Sequence, residues 1–265
     1  MALAPNLTEI LYYLGLGDRV VGVTRYSYYP PDALKKPKVG SYIQVNVERI
    51  LELKPDLVIG TADGNRRGVV KLLEQAGIPV FVVNPRTIKE TVATIAAIAE
   101  VCGIGERGRH LASLLMDRVE KIVNRTSGLK KPLVFLQINL RPIMTVNSHT
   151  IHNDVIRLAG GRNMTGDLSV TYPRISIEEV LKRKPDVIII SSMERGGRFE
   201  REKMNWYKWP SIPAVKNRQV YLLNSDLLDR PSPRIVDGLE MMARLIHPEV
   251  RWNARPEEKP QGATQ

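Results

Sequence analysis

Residues 41–60 (SYIQVNVERILELKPDLVIG) and 171–190 (TYPRISIEEVLKRKPDVIII) align without a gap, 130 positions apart. Tyr42 and Tyr172, Glu48 and Glu178, Leu51 and Leu181, Lys54 and Lys184, Pro55 and Pro185, Asp56 and Asp186, and Ile59 and Ile189 recur in register. Each copy reads the same way. Asn46 or Ser176 is a good helix N-cap, since its short polar side chain can accept from a free backbone N–H. A helical stretch follows, and Lys-Pro-Asp ends it before an apolar run. A chain that spells one helix–turn–strand unit twice, with a long helix between the copies, points to two related α/β lobes. One large sheet that uses the same phrase twice is the alternative.

The rest of the chain follows the same grammar. Val20–Thr24, Leu57–Gly60, Val80–Val83, Leu133–Ile138, Val187–Ser191 and Gln219–Leu223 are short apolar runs between helical stretches. Such runs are expected as strands of parallel sheets covered on both faces. Thr91–Val101 reads as a buried helix that Gly103 and Gly105 punctuate. Glu106–Thr126 carries Leu111, Leu114, Leu115, Val119, Ile122 and Val123 at helical spacing. The expected organisation is an α/β lobe over residues 1–104 and a connecting helix over 105–129. A second α/β lobe over 130–252 and a charged, disordered tail over 253–265 complete it.

Composition narrows the function. With 265 residues the chain suits one large domain or two ordinary ones. A single cysteine, Cys102, excludes an intramolecular disulfide framework and a cysteine-rich metal site. It lies in an apolar helix and reads as an inert thiol. No apolar run reaches the roughly 20 residues that cross a bilayer. The opening MALAPNLTEI is not a signal peptide, so any export signal is expected to be missing from this sequence. His149 and His152 stand apart from His110 and His247, so no metal centre and no resident cofactor are expected. No nucleophile elbow, phosphate-binding loop or dinucleotide fingerprint occurs, so the chain does not read as an enzyme.

The formal net charge is +11, of which residues 130–265 carry +7. The segment Glu194–Arg218 interleaves Arg195, Arg198, Arg201, Lys203, Lys208, Lys216 and Arg218 with Trp206 and Trp209. Basic residues with aromatics suggest single-stranded nucleic acid in outline. No recognition motif accompanies them, and a solvated basic face is the expected reading, with no nucleic-acid partner. Arg86, Arg141 and Arg230 are candidates to attract an anionic ligand.

Several segments together resemble the helical-backbone (class III) substrate-binding proteins of ABC transporters. These are Leu3–Thr24 (LAPNLTEILYYLGLGDRVVGVT), NVERILELKPDLVIG, GIPVFVV, LAGGRN, IPAVKNRQVYLL and RPSPRIVDGLEMMARLIHPE, in family order. The likeness covers nearly the whole chain, except the first strand, clipped to Met1–Leu3, and the tail. It implies two Rossmann-like lobes with mainly parallel sheets, joined by one long α-helix, and a ligand held between them. Members carry corrinoids, ferric siderophores or haem to a permease and its ATPase. The resemblance thus implies a monomeric receptor, periplasmic or anchored on the outer side of the cytoplasmic membrane, for a bulky metal chelate. Cobalamin or another corrinoid comes first, on the segment YSYYPP at Tyr26–Pro31, and ferric siderophore or haem second.

The same resemblance implies the site. Tyr26, Tyr42 and Tyr172 match aromatic positions of the ligand cleft, and Met144 takes the place of another aromatic. Tyrosines offer broad rigid faces with a polar tip, and a phenolate can also ligate ferric iron. Arg230 is the expected cation toward an anionic ligand group. Glu48 and Glu178, each second in its repeat helix, match glutamates that dock the permease, one per lobe. Taken singly, either glutamate is explained by the helix dipole.

Overall fold

The computed structural model describes residues 1–191 and 198–252. The tail 253–265 and residues Glu194 and Arg195 of the basic segment, on which sequence expectations fell, lie outside the described residues. The first lobe comprises α1 (Pro5–Tyr13), α2 (Val47–Glu52), β1 (Val58–Thr61), α3 (Arg67–Gln75), β2 (Val80–Val83) and α4 (Ile88–Val101). The connecting helix α5 runs over Gly105–Thr126. The second lobe begins with β3 (Leu133–Gln137), α6 (Ile151–Leu158), β4 (Arg162–Asn163), α7 (Ile177–Arg183) and β5 (Val187–Ile190). It ends with α8 (Arg198–Trp206), α9 (Pro213–Lys216), β6 (Val220–Leu222), α10 (Ser225–Leu228) and α11 (Ile235–Ile246).

The sequence repeat extends to topology. The second sheet has the order β4-β3-β5-β6, all parallel. In the first lobe β1 pairs with β2, and single parallel bridges continue outward from Ile59 to Ala2, from Ala2 to Val23, and from Val23 to Lys38. The opening residues therefore fill the place that β3 takes in the second lobe. Val20–Thr24, expected as a strand, forms bridges only at Val23. Its neighbour Pro37 has no N–H to extend the ladder, although its carbonyl accepts from Val23 at 2.9 Å. The repeat helices are capped as their sequence dictates: Asn46 accepts from the Arg49 N–H and Ser176 from that of Glu179. Lys54 and Lys184 then end these helices at φ 43° and 51°, a left-handed conformation that non-glycine residues rarely take.

The apolar interior is divided unevenly. One cluster covers the outer face of the first sheet (Leu3, Ile50, Val58, Leu73) and another that of the second (Phe135, Val180, Ile188, Trp206). The largest runs from Leu7, Ile10 and Ile59 through Ile95, Leu115 and Ile122 to Val134, Val155 and Met242. It joins both lobes through α5. Helix α5 buries the narrow stripe Leu115, Val119 and Ile122, while Leu114 of its sequence pattern is exposed. Gly108 lets α4 lie close, because a Cβ there would overlap Ala99.

Two polar clasps cross between the lobes, and both start from a carboxylate on the first helix after the first strand position. Glu9 on α1 accepts from Ser232 Oγ at 2.7 Å and Arg230 Nη1 at 2.9 Å, and pairs with Arg234 at 3.4 Å. Asp154 on α6 accepts from the Ile88 N–H at 2.9 Å, at the start of α4. Each lobe thus holds the start of the other's last long helix. The Glu9 carboxyl is fully buried, and burial pushes its pKa up while Ser232 and Arg230 draw it down.

Candidate functional site

Strands β1 and β3 end in turns that carry chemistry. After Thr61 the chain turns through Asp63 and Gly64 to buried Asn65, whose Oδ1 accepts from the Thr61 N–H at 2.7 Å. The Asn65 amide donates to the Tyr42 carbonyl at 2.7 Å. Tyr42 lies in a tight turn closed by Ser41 and Gln44, and its ring lies against Gly64, where a Cβ would collide with it. Asp63 also pairs with Arg86.

Tyr172 is held differently from its repeat partner. It lies in an extended segment in which Thr145 donates to Pro173, Asn147 donates to Thr171, and Met144 bridges Arg174. Met144 and Tyr172 thus occupy adjacent extended segments of the second lobe. Burial raises the Tyr172 pKa, and Asp63 raises it further; Arg86, Asp229 and Tyr42 also act on it. Asp63, Arg86 and Tyr42 belong to the first lobe, so charges of one lobe act on Tyr172 of the other, and Tyr42 and Tyr172 stand on opposite lobes. They remain 36% and 43% exposed, and Tyr26 is 53% exposed.

Tyr26 sits in a turn where Arg25 donates to Gly40 at 2.7 Å and Ser27 to Thr24 at 3.0 Å. The residues after it are fastened across the lobes. Tyr28 Oη donates to Asp226 at 2.9 Å, the Arg230 guanidinium lies over its ring at 4.5 Å, and that of Arg234 over Tyr29 at 3.9 Å. Arg230 therefore meets Glu9 and Asp226, and its side chain is only 12% exposed. Glu9, Tyr28, Asp226 and Arg234 were missed in the sequence. The available signal was an acidic residue between Leu7 and Ile10 on a buried helix face; its partners lie more than 200 positions away.

His149 is exposed before α6, and His152 faces Asp229 at 2.8 Å. Among the described residues no group of three His, Cys, Asp or Glu side chains could hold a metal ion. Among them, too, no helix is long and apolar enough to cross a membrane. In the basic segment Trp206 is core: its indole N–H donates to Gln137 at 2.8 Å, and its ring meets Phe135 edge-on at 5.7 Å.

On α2 and α7 the acidic residues divide in the same manner. Glu52 pairs with Arg49, and Glu179 with Arg183. Glu48 and Glu178 are exposed and have no ion-pair partner among the described residues. Its own backbone N–H and then the Ser176 hydroxyl hold Glu178 below the usual carboxylate range. The repeat presents one exposed carboxylate per lobe with no paired cation among the described residues.

Comparison with known proteins decides the family. The description "Periplasmic binding protein" matches residues 1–227. The chain belongs to the periplasmic binding protein family. Such membership gives it an extracytoplasmic location and a binding role, and its named relatives are binding proteins. The chain is 35% identical over 250 residues to a vitamin B12-binding protein of Vibrio cholerae, covering 93% of this chain and 88% of that one. The crystal structure of the periplasmic vitamin B12-binding protein of Vibrio cholerae matches with TM-score 0.83 and 34% identity, covering 92% and 94%. A possible iron-binding, periplasmic solute-binding protein of Staphylococcus epidermidis matches with TM-score 0.80 and 30% identity, covering 93% and 97%. These binding-family structures share the two-lobed α/β architecture described above.

Proposed function

We propose that this chain is the receptor of an ABC importer for a corrinoid, cobalamin or a close relative. The ligand lies between Tyr42 and Tyr172, with Tyr26 and Met144 at its margin. What supports this reading is the pair of exposed tyrosines that the repeat places one on each lobe, with Asp63 and Arg86 of the first lobe acting on Tyr172 of the second. The vitamin B12-binding relatives supply the ligand class. Burial and Asp63 make the Tyr172 phenol harder to ionise in the empty chain, and its broad rigid face suits stacking on a macrocycle. The ligand is carried unchanged, and the receptor has no resident cofactor and no nucleic-acid partner. In this reading it works as a monomer, free in the periplasm or anchored to the outer face of the membrane.

The test is to mix purified protein with cyanocobalamin, haemin or a set of ferric siderophores and desalt. Retention of cyanocobalamin with a saturable titration is expected. Retention of haemin or a siderophore alone overturns the corrinoid assignment. Gly64→Ala is expected to weaken binding several-fold, because the new methyl group displaces the Tyr42 ring without removing it. An unchanged affinity shows that the ring position does not matter.

Handover is assigned to Glu48 and Glu178, which would pair with cations on the two halves of a permease and its ATPase complex. Glu48→Arg combined with Glu178→Arg is expected to cut uptake at least about tenfold, since like-charge contacts cost several kcal/mol. Ligand retention is expected to stay at the wild-type level. Normal uptake by the double variant removes these residues from docking.

A further inference from the structure

The excess charge of the second lobe has a concave focus. A cavity of about 300 Å³ lies between the turn after β3 and helix α8, lined by Leu140, Arg141, Arg198, Arg201, Glu202 and Asn205. Its one carboxylate is held by neutral amides. Buried Glu202 accepts from Gln137 Nε2 at 3.0 Å and from Asn205 Nδ2 at 3.3 Å, so it faces the polar network that anchors Trp206. Arg141 and Arg201 are exposed and have no ion-pair partner among the described residues. Three guanidinium groups thus line one concavity against a single carboxylate, and its lining is net positive. A net positive concavity concentrates its field on an entering anion, and the guanidinium fork matches carboxylate and phosphate oxygens in two-point contact.

Size and position limit the occupant. The cavity is at the lower end of ligand-pocket volumes, enough for a phosphate or carboxylate with its stem and too small for a macrocycle. It opens beside the turn that leads from Arg141 to Met144, whose segment bridges Arg174 two residues beyond Tyr172. The cavity and the Tyr172 segment are thus joined through Met144 on one lobe.

We propose that the Arg141–Arg201 cavity is an oxyanion subsite that takes a phosphodiester or carboxylate substituent of the bound chelate. The subsite rests on the reading of the tyrosine cleft as the ligand site. It makes the second lobe the lobe that selects among chelates by their anionic arm, while the tyrosine faces accept the flat body. Cobalamin carries a single phosphodiester in its nucleotide arm, and cobinamide lacks that arm. Haemin carries two carboxylates, and its dimethyl ester carries none. These pairs separate the two anion sources.

Affinities of the full chain for cyanocobalamin, dicyanocobinamide, haemin and haemin dimethyl ester are measured by calorimetry or absorbance titration. The same set is measured for Arg141→Gln, Arg201→Gln, the double variant and Arg141→Lys. Wild type is expected to prefer the anionic member of a pair about tenfold or more, the effect of losing one charge-assisted contact. The double variant is expected to lose that preference while keeping wild-type affinity for the anion-free member. Arg141→Lys is expected to retain part of it. Both arginines are exposed, and an unchanged thermal melt establishes that the variants fold. If wild type binds a macrocycle and the double variant binds it equally well, the subsite is overturned and the tyrosine cleft stands. If wild type binds none of the four, the cleft reading falls and the subsite falls with it.

Discussion

Glu9→Ala is expected to destabilise the protein by about 3 kcal/mol and lower its melting temperature by roughly 6–12 °C. The reason is geometric. The Glu9 side chain is fully buried, and its partners Arg230 and Arg234 are 12% and 14% exposed. Removing the carboxylate leaves Arg234 without this counter-charge and Arg230 with Asp226 at 3.0 Å. Breaking a buried ion pair from one side costs about 3–5 kcal/mol, and the remaining Asp226 contact places this case at the lower end. Glu9→Gln is expected to cost less. It keeps an acceptor for Ser232, and it resembles the protonated form that burial favours. Because the folded pKa is raised, the Glu9 contribution grows as pH falls through that value toward the ordinary Glu value. The wild-type advantage in melting temperature over the Gln variant should therefore widen as the solution is acidified. A thermal melt of Glu9→Ala within about 2 °C of wild type shows that the clasp contributes little.

The second large effect concerns the cleft. Tyr42→Ala with Tyr172→Ala is expected to weaken ligand binding about a thousandfold. Each ring is treated as an aromatic anchor worth about 2 kcal/mol, and the two lie on opposite lobes, so their losses should nearly add. Both rings are partly exposed, so the melt should move little. The phenylalanine variants carry separate information. Stacking on a macrocycle survives loss of the hydroxyl, whereas ligation of a metal by the phenol does not. A double phenylalanine variant within a few-fold of wild type supports stacking. A loss comparable to that of the alanine variant supports ligation. Wild-type affinity in the double alanine variant places the ligand elsewhere.

What the sequence revealed depended on how local the cause was. Helix caps act over three residues, so Asn46 and Ser176 were readable. The run Val80–Val83 is β2 itself, and the connecting helix begins one residue before Glu106 and ends at Thr126. Val20–Thr24 was misread because its pairing is decided by Pro37, on a neighbouring segment. The repeat marks Tyr42 and Tyr172 as counterparts on the two lobes, but it holds no sign of the turn under one and the extended segment under the other. Arg230 illustrates the limit. Its charge was visible, but its direction was set by Glu9, 221 positions away. A side chain that resolves its charge through long-range folding gives no local sign of doing so.

The apolar core that runs unbroken from Leu7 through Leu115 to Met242 has a consequence for signalling to the membrane. Prising the lobes apart would expose that core to water, so an empty receptor and a filled one should differ little in shape. The span between Glu48 and Glu178 should then be almost the same in both. A permease that gripped only those two carboxylates would receive no message about cargo, and empty receptors would compete with loaded ones for its face. Discrimination would have to come from the occupant itself, through whatever part of it the cleft leaves visible. In such a system the transport rate is governed by the ratio of filled to empty receptor, as well as by the amount of ligand captured.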